Sequence, residues 1–242
     1  MLKRLLAKAS PILGNHADWQ GHCLLCQQPC DTQPLLCSWC QQALHQPYRK
    51  CSLCAAPLPE PDGETEPVCG RCQRRPPPWQ RLQVIGDYQA PYSMLIPQLK
   101  YSGQILLAPL LARLLADHLE RDDLPEAIIP VPLHWWRLWW RGFNQAEEIA
   151  ITLSEITGIP CDTRLLRRTR ATPQQTRFSA AQRRRNLRGA FQIQPHRYQH
   201  VALLDDVVTT GATAGQLTRV LHESGIEKVE VWAICRTLKH LK

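Results

Sequence analysis

From Leu82 onward the apolar positions follow two alternating periods. Val84-Ile-Gly-Asp-Tyr88, Ala127-Ile-Ile-Pro-Val131, His200-Val-Ala-Leu-Leu204 and Lys228-Val-Glu-Val-Trp-Ala-Ile-Cys235 are short apolar runs of strand length. Between them, Leu106, Leu107, Leu110, Leu111, Leu114 and Leu115 recur with helical spacing and predict a buried stripe. Residues 144–157 read as a second helix, with Asn144 in the N-cap position and Glu147 three residues on. Ser179 and Gln182 have capping-box spacing at the head of a short helix over residues 179–185. Residues 211–224 predict a last helix. Strands alternating with helices argue for a parallel α/β sheet that binds ligands at the carboxyl ends of its strands.

The first third of the chain has no such pattern, and its cysteines take over the argument. Nine of the 11 cysteines precede Gln73. Eight of them form Cys-x-x-Cys pairs: Cys23/Cys26, Cys37/Cys40, Cys51/Cys54 and Cys69/Cys72. Ten residues separate the first two pairs and 14 separate the last two. A Cys-x-x-Cys turn sets two thiolates on one side of a tight loop, and two such turns complete a tetrahedron around Zn²⁺. Two structural zinc sites are expected, with neighbouring pairs joined or with the first pair crossed to the third. Free thiols or redox pairs are the blander alternative. Closed four-thiolate shells would stabilise folding and leave no open position for water. Cys30, Cys161 and Cys235 stand apart as unligated, the last two as small core residues. The run Gln73-Arg-Arg-Pro-Pro-Pro-Trp79 reads as an extended connection. It divides an N-terminal double zinc ribbon (1–75) from an α/β domain (82–242).

No apolar run approaches the roughly 18–20 residues that span a bilayer. The best, residues 105–116, is about two-thirds of that length and carries Arg113. Residues 1–12 scatter Lys3, Arg4 and Lys8 among leucines without a continuous apolar stretch, which fits an amphipathic helix better than a signal peptide. A cytoplasmic, reducing setting is therefore expected, where paired cysteines hold metal more often than they form disulfides. The net charge of +8 is unevenly placed. Residues 163–204 hold ten arginines and no Asp or Glu.

The most informative stretch is Val201-Ala-Leu-Leu-Asp205-Asp206-Val-Val208-Thr209-Thr210-Gly211-Ala212-Thr213. A buried strand delivers two carboxylates to its carboxyl end, and a Thr- and Gly-containing turn then leads into a helix. Outward-pointing backbone N–H groups, three threonine hydroxyls and the helix dipole make that turn an anion site. Gly211 permits close backbone approach. The carboxylates would repel a phosphate unless they served sugar hydroxyls or a bound Mg²⁺. Such a site asks for a sugar phosphate. It is not a Walker loop, since it has one glycine and no lysine before the threonine.

Residues 205–213 resemble the phosphoribosyl pyrophosphate (PRPP) motif of type I phosphoribosyltransferases. Within that superfamily the chain is most similar to the ComF/GntX group, linked to competence and use of DNA. The match is carried by Pro130-Val-Pro132, Arg137 and Arg141-Gly-Phe-Asn-Gln145, by Arg168-Thr-Arg-Ala-Thr-Pro-Gln174 and Asn186-Leu-Arg-Gly-Ala-Phe191, and by the cysteine pairs. The resemblance implies a type I phosphoribosyltransferase-like parallel sheet with helices on both faces, preceded by the double zinc ribbon. It implies Mg²⁺-dependent PRPP binding, with Asp205 and Asp206 on the ribose hydroxyls as the catalytic pair. Val208, Thr209, Thr210, Gly211, Ala212 and Thr213 would hold the 5′-phosphate. Val131, Pro132, Leu133, Arg137 and Arg141 would form the pyrophosphate loop. Arg168, Arg170, Gln174, Arg177 and Arg184 would belong to a flexible loop that closes over PRPP. Guanidinium forks suit such an anion.

No residue identifies an acceptor, and some proteins of that superfamily bind PRPP as a signal and catalyse nothing. A non-catalytic accessory protein gripping single-stranded DNA, or otherwise serving the DNA-uptake machinery, is the second reading. The arginine run and the cluster Trp135, Trp136, Trp139 and Trp140 would supply charge and stacking. Helical spacing of these tryptophans instead favours packing against the sheet or the zinc module, and the arginine run favours a lid over phosphate.

Overall fold

The computed structural model describes residues 21–30, 36–44, 49–59, 67–120, 122–133, 135–168 and 191–237. The helices expected over residues 1–12 and 179–185 lie outside them.

In the cysteine-rich part, β1 (Gly21–His22) and β2 (Pro29–Cys30) pair antiparallel. The turn holding Cys23 and Cys26 closes through Gln27 N–H, which donates to the Cys23 carbonyl at 2.8 Å. Ala55 N–H donates to the Cys51 carbonyl at 2.7 Å in the same way. Gln27 and Ala55 both take left-handed backbone, at φ 61° and 52°. The other two pairs stand at helix starts: α1 (Ser38–Leu44) follows Cys37, and α2 (Gly70–Arg74) is preceded by Cys69.

The remainder runs β3 (Arg81–Asp87), α3 (Tyr92–Tyr101), α4 (Leu107–Ala116), β4 (Ala127–Pro130), α5 (Trp135–Arg141) and α6 (Gln145–Thr157). An antiparallel hairpin of β5 (Leu166–Arg168) and β6 (Phe191–Ile193) follows. β7 (His200–Val208), α7 (Ala212–Glu223) and β8 (Lys228–Arg236) complete it. The sheet order is β3-β8-β7-β4, and every pairing in it is parallel. Val201, Ala202, Leu203 and Leu204 of β7 are buried on both sides, as a central parallel strand requires.

Helices cover both faces. On one, Leu95 and Leu99 of α3, Leu111 of α4 and Leu153 of α6 pack with Ile128, Leu204 and Trp232 of the sheet. Cys23, Cys40 and Leu44 share this core, and buried Tyr92 donates from its hydroxyl to the Leu44 carbonyl at 2.8 Å. On the other face, Leu217 and Leu221 of α7 pack with Val201, Leu203 and Val231, together with Leu166, Trp79 and Ala55. Each such large apolar side chain contributes on the order of 1.5–3 kcal/mol. The observed class is the expected one: a parallel α/β sheet with helices on both faces and two four-cysteine groups.

Several details differ from expectation. β7 continues beyond Leu204 through the acid pair to Val208. Leu106 is exposed and precedes α4, because the stripe needs only Leu107, Leu110, Leu111 and Leu115 against the sheet. α3 forms despite Pro97 in its interior, since Leu95, Ile96 and Leu99 are fully buried. Three of the four clustered tryptophans stand in solvent, against the expected packing on the sheet or the cysteine module. Trp136, Trp139 and Trp140 of α5 are 56%, 75% and 68% exposed, and the Trp136 and Trp139 rings stack at 5.7 Å. Among the described residues, no helix is long and apolar enough to cross a membrane.

Candidate functional site

Each four-cysteine group draws two thiols from a knuckle turn and two from the start of a short helix. Cys23, Cys26, Cys37 and Cys40 form one, and Cys51, Cys54, Cys69 and Cys72 the other, so neighbouring pairs join. All four sulfurs of each group lie within 4.8 Å of one another. Cys26 Sγ and Cys37 Sγ are 3.7 Å apart, as are Cys54 Sγ and Cys69 Sγ. A tetrahedron with Zn–S bonds of ~2.3 Å has S–S edges of about 3.8 Å, so both groups fit Zn²⁺. In each group the local backbone favours thiolate at one cysteine, while burial and then the neighbouring cysteines push Cys40 and Cys72 up. Burial raises the Cys23 thiol, but the backbone N–H groups of Cys26, Cys37 and Leu25 outweigh it and bring it down to about 6. At Cys69, burial is likewise outweighed, first by the Cys72 N–H, and the thiol falls to about 7. Cys235 is fully buried, as expected of a core residue, while Cys161 is half-buried.

At the carboxyl end of β7 the two adjacent acids part. Asp205 lines a solvent-open pocket of about 210 Å³ whose other walls come from residues 207–209 and 211–214. Burial, then the neighbouring Asp206 carboxylate, push the Asp205 carboxyl up to about 7, and the Lys100 ammonium opposes them. Asp206 is buried and turns instead to Lys100 of α3, with Nζ 2.5 Å from Oδ2. Asp205 Oδ1 also accepts the Asp206 backbone N–H at 2.8 Å, which fixes its rotamer.

The turn that follows has the expected form. Val208 is buried at the strand end, Thr209 and Thr210 are exposed, and Thr210 Oγ1 accepts the Ala212 N–H at 3.3 Å. Gly211, at φ 70°, is the cap from which α7 departs. A Cβ at Gly211 would stand 2.8 Å from the ring of Trp79, so the position requires glycine for space as well as for backbone. Ala212 and Thr213 open α7, whose dipole points its positive end at the pocket. Thus Asp205, Val208, Thr209, Gly211, Ala212 and Thr213 come together around the pocket, while Asp206 and Thr210 do not line it.

The segment after β4 emerges at the same carboxyl end of the sheet, because Pro130 pairs with Leu204 and Val131 N–H donates to the Leu204 carbonyl at 2.8 Å. Val131, Pro132 and Leu133 are half-buried there. Asn144 ties the segment to α6, accepting from Ala146 N–H at 3.2 Å and donating to the Val131 carbonyl at 3.1 Å. Arg141 donates to Gln145 Oε1 at 2.9 Å, and its guanidinium lies 4.8 Å over the Tyr101 ring. Arg137 belongs to α5, and its side chain lies outside the description. Arg168 ends β5 and lies 5.5 Å over the Phe191 ring. Arg170, Gln174, Arg177 and Arg184 lie outside the described residues.

Two residues that sequence reasoning missed bear on this site. Lys100 carried no motif, and only the fold brings it to Asp206. Trp79 had a signal, a large aromatic at the end of a proline run, yet it was read as part of a connection.

No family model matches the chain. Part of the fold is similar to Leishmania donovani UMP synthase, with a TM-score of 0.36 and 19% identity, covering 59% of this chain and 24% of that one. Whole-chain relatives are much nearer in sequence. The DNA utilization protein YhgH of Escherichia coli (strain K12) and that of Salmonella typhimurium are each 39% identical over 226 residues, covering 90% of this chain and 98% of theirs. Competence protein F of Haemophilus influenzae is 37% identical over 212 residues, covering 83% of this chain and 90% of that protein. With identity at this level along nearly its whole length, the chain belongs to the ComF/GntX family.

Proposed function

We propose that the protein binds PRPP, or a closely related ribose phosphate, with Mg²⁺ at the end of β7, and does so in the cytoplasm in the uptake or use of DNA. The observation that carries this reading is the pocket itself: one carboxylate, Asp205, beside a glycine-capped helix start, with Thr209 and Thr213 on its walls. A helix N-terminus with free N–H groups takes phosphate oxygens, and a carboxylate at the rim takes the donating hydroxyls of a sugar. Lys100 already neutralises Asp206, so Asp205 is the acid open to hydroxyls or to Mg²⁺. When bound, Mg²⁺ would supply charge neutralisation for the pyrophosphate. Val131, Pro132 and Leu133, which follow the strand paired with β7, would border that part of the ligand, together with Arg137 and Arg141 of the next helix. The DNA setting comes from the relatives named for DNA utilization and competence.

Competition distinguishes the ligand's parts. Labelled PRPP held with Mg²⁺ should be displaced by ribose 5-phosphate more readily than by inorganic pyrophosphate alone, because the described pocket is the phosphate-ribose end. Displacement by pyrophosphate only would contradict the assignment. Release of pyrophosphate from PRPP across a panel of bases, amines and DNA then separates a transferase from a PRPP sensor.

One observation favours single-stranded DNA as an additional ligand: the stacked, exposed Trp136–Trp139 pair beside Trp140 on a helix ending in Arg141. Stacking of a base on such a platform contributes ~1–3 kcal/mol. Affinity for an oligonucleotide should fall steeply with salt and drop roughly 5- to 100-fold in Trp139→Ala, with folding unchanged. Equal binding by wild type and variant would remove the platform from consideration.

A further inference from the structure

The second cysteine group is joined to the phosphate turn at both of the turn's ends. At the far end, the Trp79 indole lies under Gly211 and Gly215: a Cβ on Gly211 would meet Cη2 at 2.8 Å, and one on Gly215 would meet Cζ3 at 3.5 Å. The same indole donates from Nε1 to the Leu53 carbonyl at 2.8 Å, inside the knuckle between Cys51 and Cys54. Trp79 is only 8% exposed and shares a core with Ala55, the left-handed residue that closes that knuckle, and with Ala214 of α7. At the near end, Arg236 donates to the Cys54 carbonyl, with Nη1 3.7 Å from Cys54 Sγ. Arg236 pairs in register with Val208, the last residue before the turn, and Thr237 N–H donates to the Val208 carbonyl at 2.9 Å. The knuckle is itself anchored on the sheet edge, where Leu82 N–H donates to the Ser52 carbonyl at 2.8 Å and Lys50 Nζ donates to the Ile85 carbonyl at 2.8 Å.

From these two braces we infer that the Cys51/Cys54/Cys69/Cys72 group is the mount of the phosphate-binding turn, and that Trp79 is its positioning residue. A four-thiolate metal shell holds the 51–54 knuckle in one conformation, and the knuckle holds the indole through Leu53. The indole then fixes the height of Gly211 and so the direction in which α7 starts. Metal at this group and anion at the turn therefore favour the same arrangement, and each must tighten the other by an equal factor. The Cys23/Cys26/Cys37/Cys40 group packs on the opposite face of the sheet, with α3 and α4, and has no such connection among the described residues. This inference rests on the reading of the turn as the PRPP site.

The test uses full-length, zinc-loaded protein and follows zinc transfer to a chromogenic chelator with and without PRPP and Mg²⁺. One zinc per chain should be released at least fivefold more slowly with PRPP present, and the other at an unchanged rate. In Trp79→Leu the protection should vanish and PRPP affinity should fall at least tenfold, with zinc content and far-ultraviolet circular dichroism retained. Trp79→Phe, which keeps the ring under Gly211 but cannot donate to Leu53, should recover an intermediate affinity. Should Trp79→Leu fail to fold, the release rates of the wild type decide alone. PRPP binding to the wild type with no change in either zinc release rate overturns the mount and leaves the PRPP site standing. No PRPP binding to the wild type overturns both.

Discussion

Asp205 is the residue on which the proposed chemistry turns. Its carboxyl is raised to about 7, first by burial and then by the adjacent Asp206. A carboxyl raised in the folded state contributes stability that is full below its ordinary pKa of about 4 and is lost as pH rises through its folded value. Stability of the ligand-free protein should therefore fall between pH ~4 and ~7, and Asp205→Asn should flatten that part of the curve in denaturant titrations. An unchanged curve in the variant would contradict the burial described. Binding has the opposite slope. Sugar hydroxyls and Mg²⁺ need the carboxylate, so PRPP affinity should rise with pH up to about 7 and then level off. Lys100 opposes the shift, so Lys100→Met should move the midpoint above 7, read by carboxyl-selective NMR titration. A midpoint that stays put or falls would remove Lys100 from the site.

Among the elements, the turn between β7 and α7 is the most constrained. Gly211→Ala places a methyl 2.8 Å from a buried indole at a backbone φ of 70°. The strain should cost on the order of 1–3 kcal/mol in chemical denaturation and weaken PRPP binding besides. A neutral variant would mean that Trp79 yields easily. This element was also the most legible in sequence, because a both-sides-buried strand, an acid pair and a glycine cap are local signals that agree. β4, α6 and β8 were legible for the same reason. The β5–β6 hairpin was not, since three-residue strands fall below any periodicity. α3 was obscured by Pro97, whose missing donor is outweighed by tertiary burial of Leu95, Ile96 and Leu99. The site was legible only as far as its local part: Asp205 and the turn could be read, but Lys100 and Trp79 reach it through long-range packing. In α5 the failure went the other way, because helical spacing of aromatics was taken as burial where the helix presents three of them to solvent.

Across the whole molecule, the two cysteine groups grip opposite faces of one sheet. The first joins the α3–α4 core through Leu44 and Tyr92, and the second joins the α7 core through Ala55 and Trp79. Metal loss should therefore weaken the sheet domain and not only the first third of the chain. Structural zinc sites are worth several kcal/mol or more, so chelation should lower Tm by on the order of 10 °C or more as followed by β-sheet circular dichroism. Metal analysis should find close to two zinc ions per chain, given two groups of ligand geometry. A Tm insensitive to chelation would contradict the shared cores.

Whether the β7–α7 turn takes a ribose phosphate is decided by calorimetric titration of PRPP with Mg²⁺ into the zinc-loaded full-length protein. Saturable one-to-one binding is expected, lost in Asp205→Asn while the folded circular-dichroism spectrum and the zinc content are kept. Undiminished binding by that variant, or no binding by the wild type, would contradict that role for the turn.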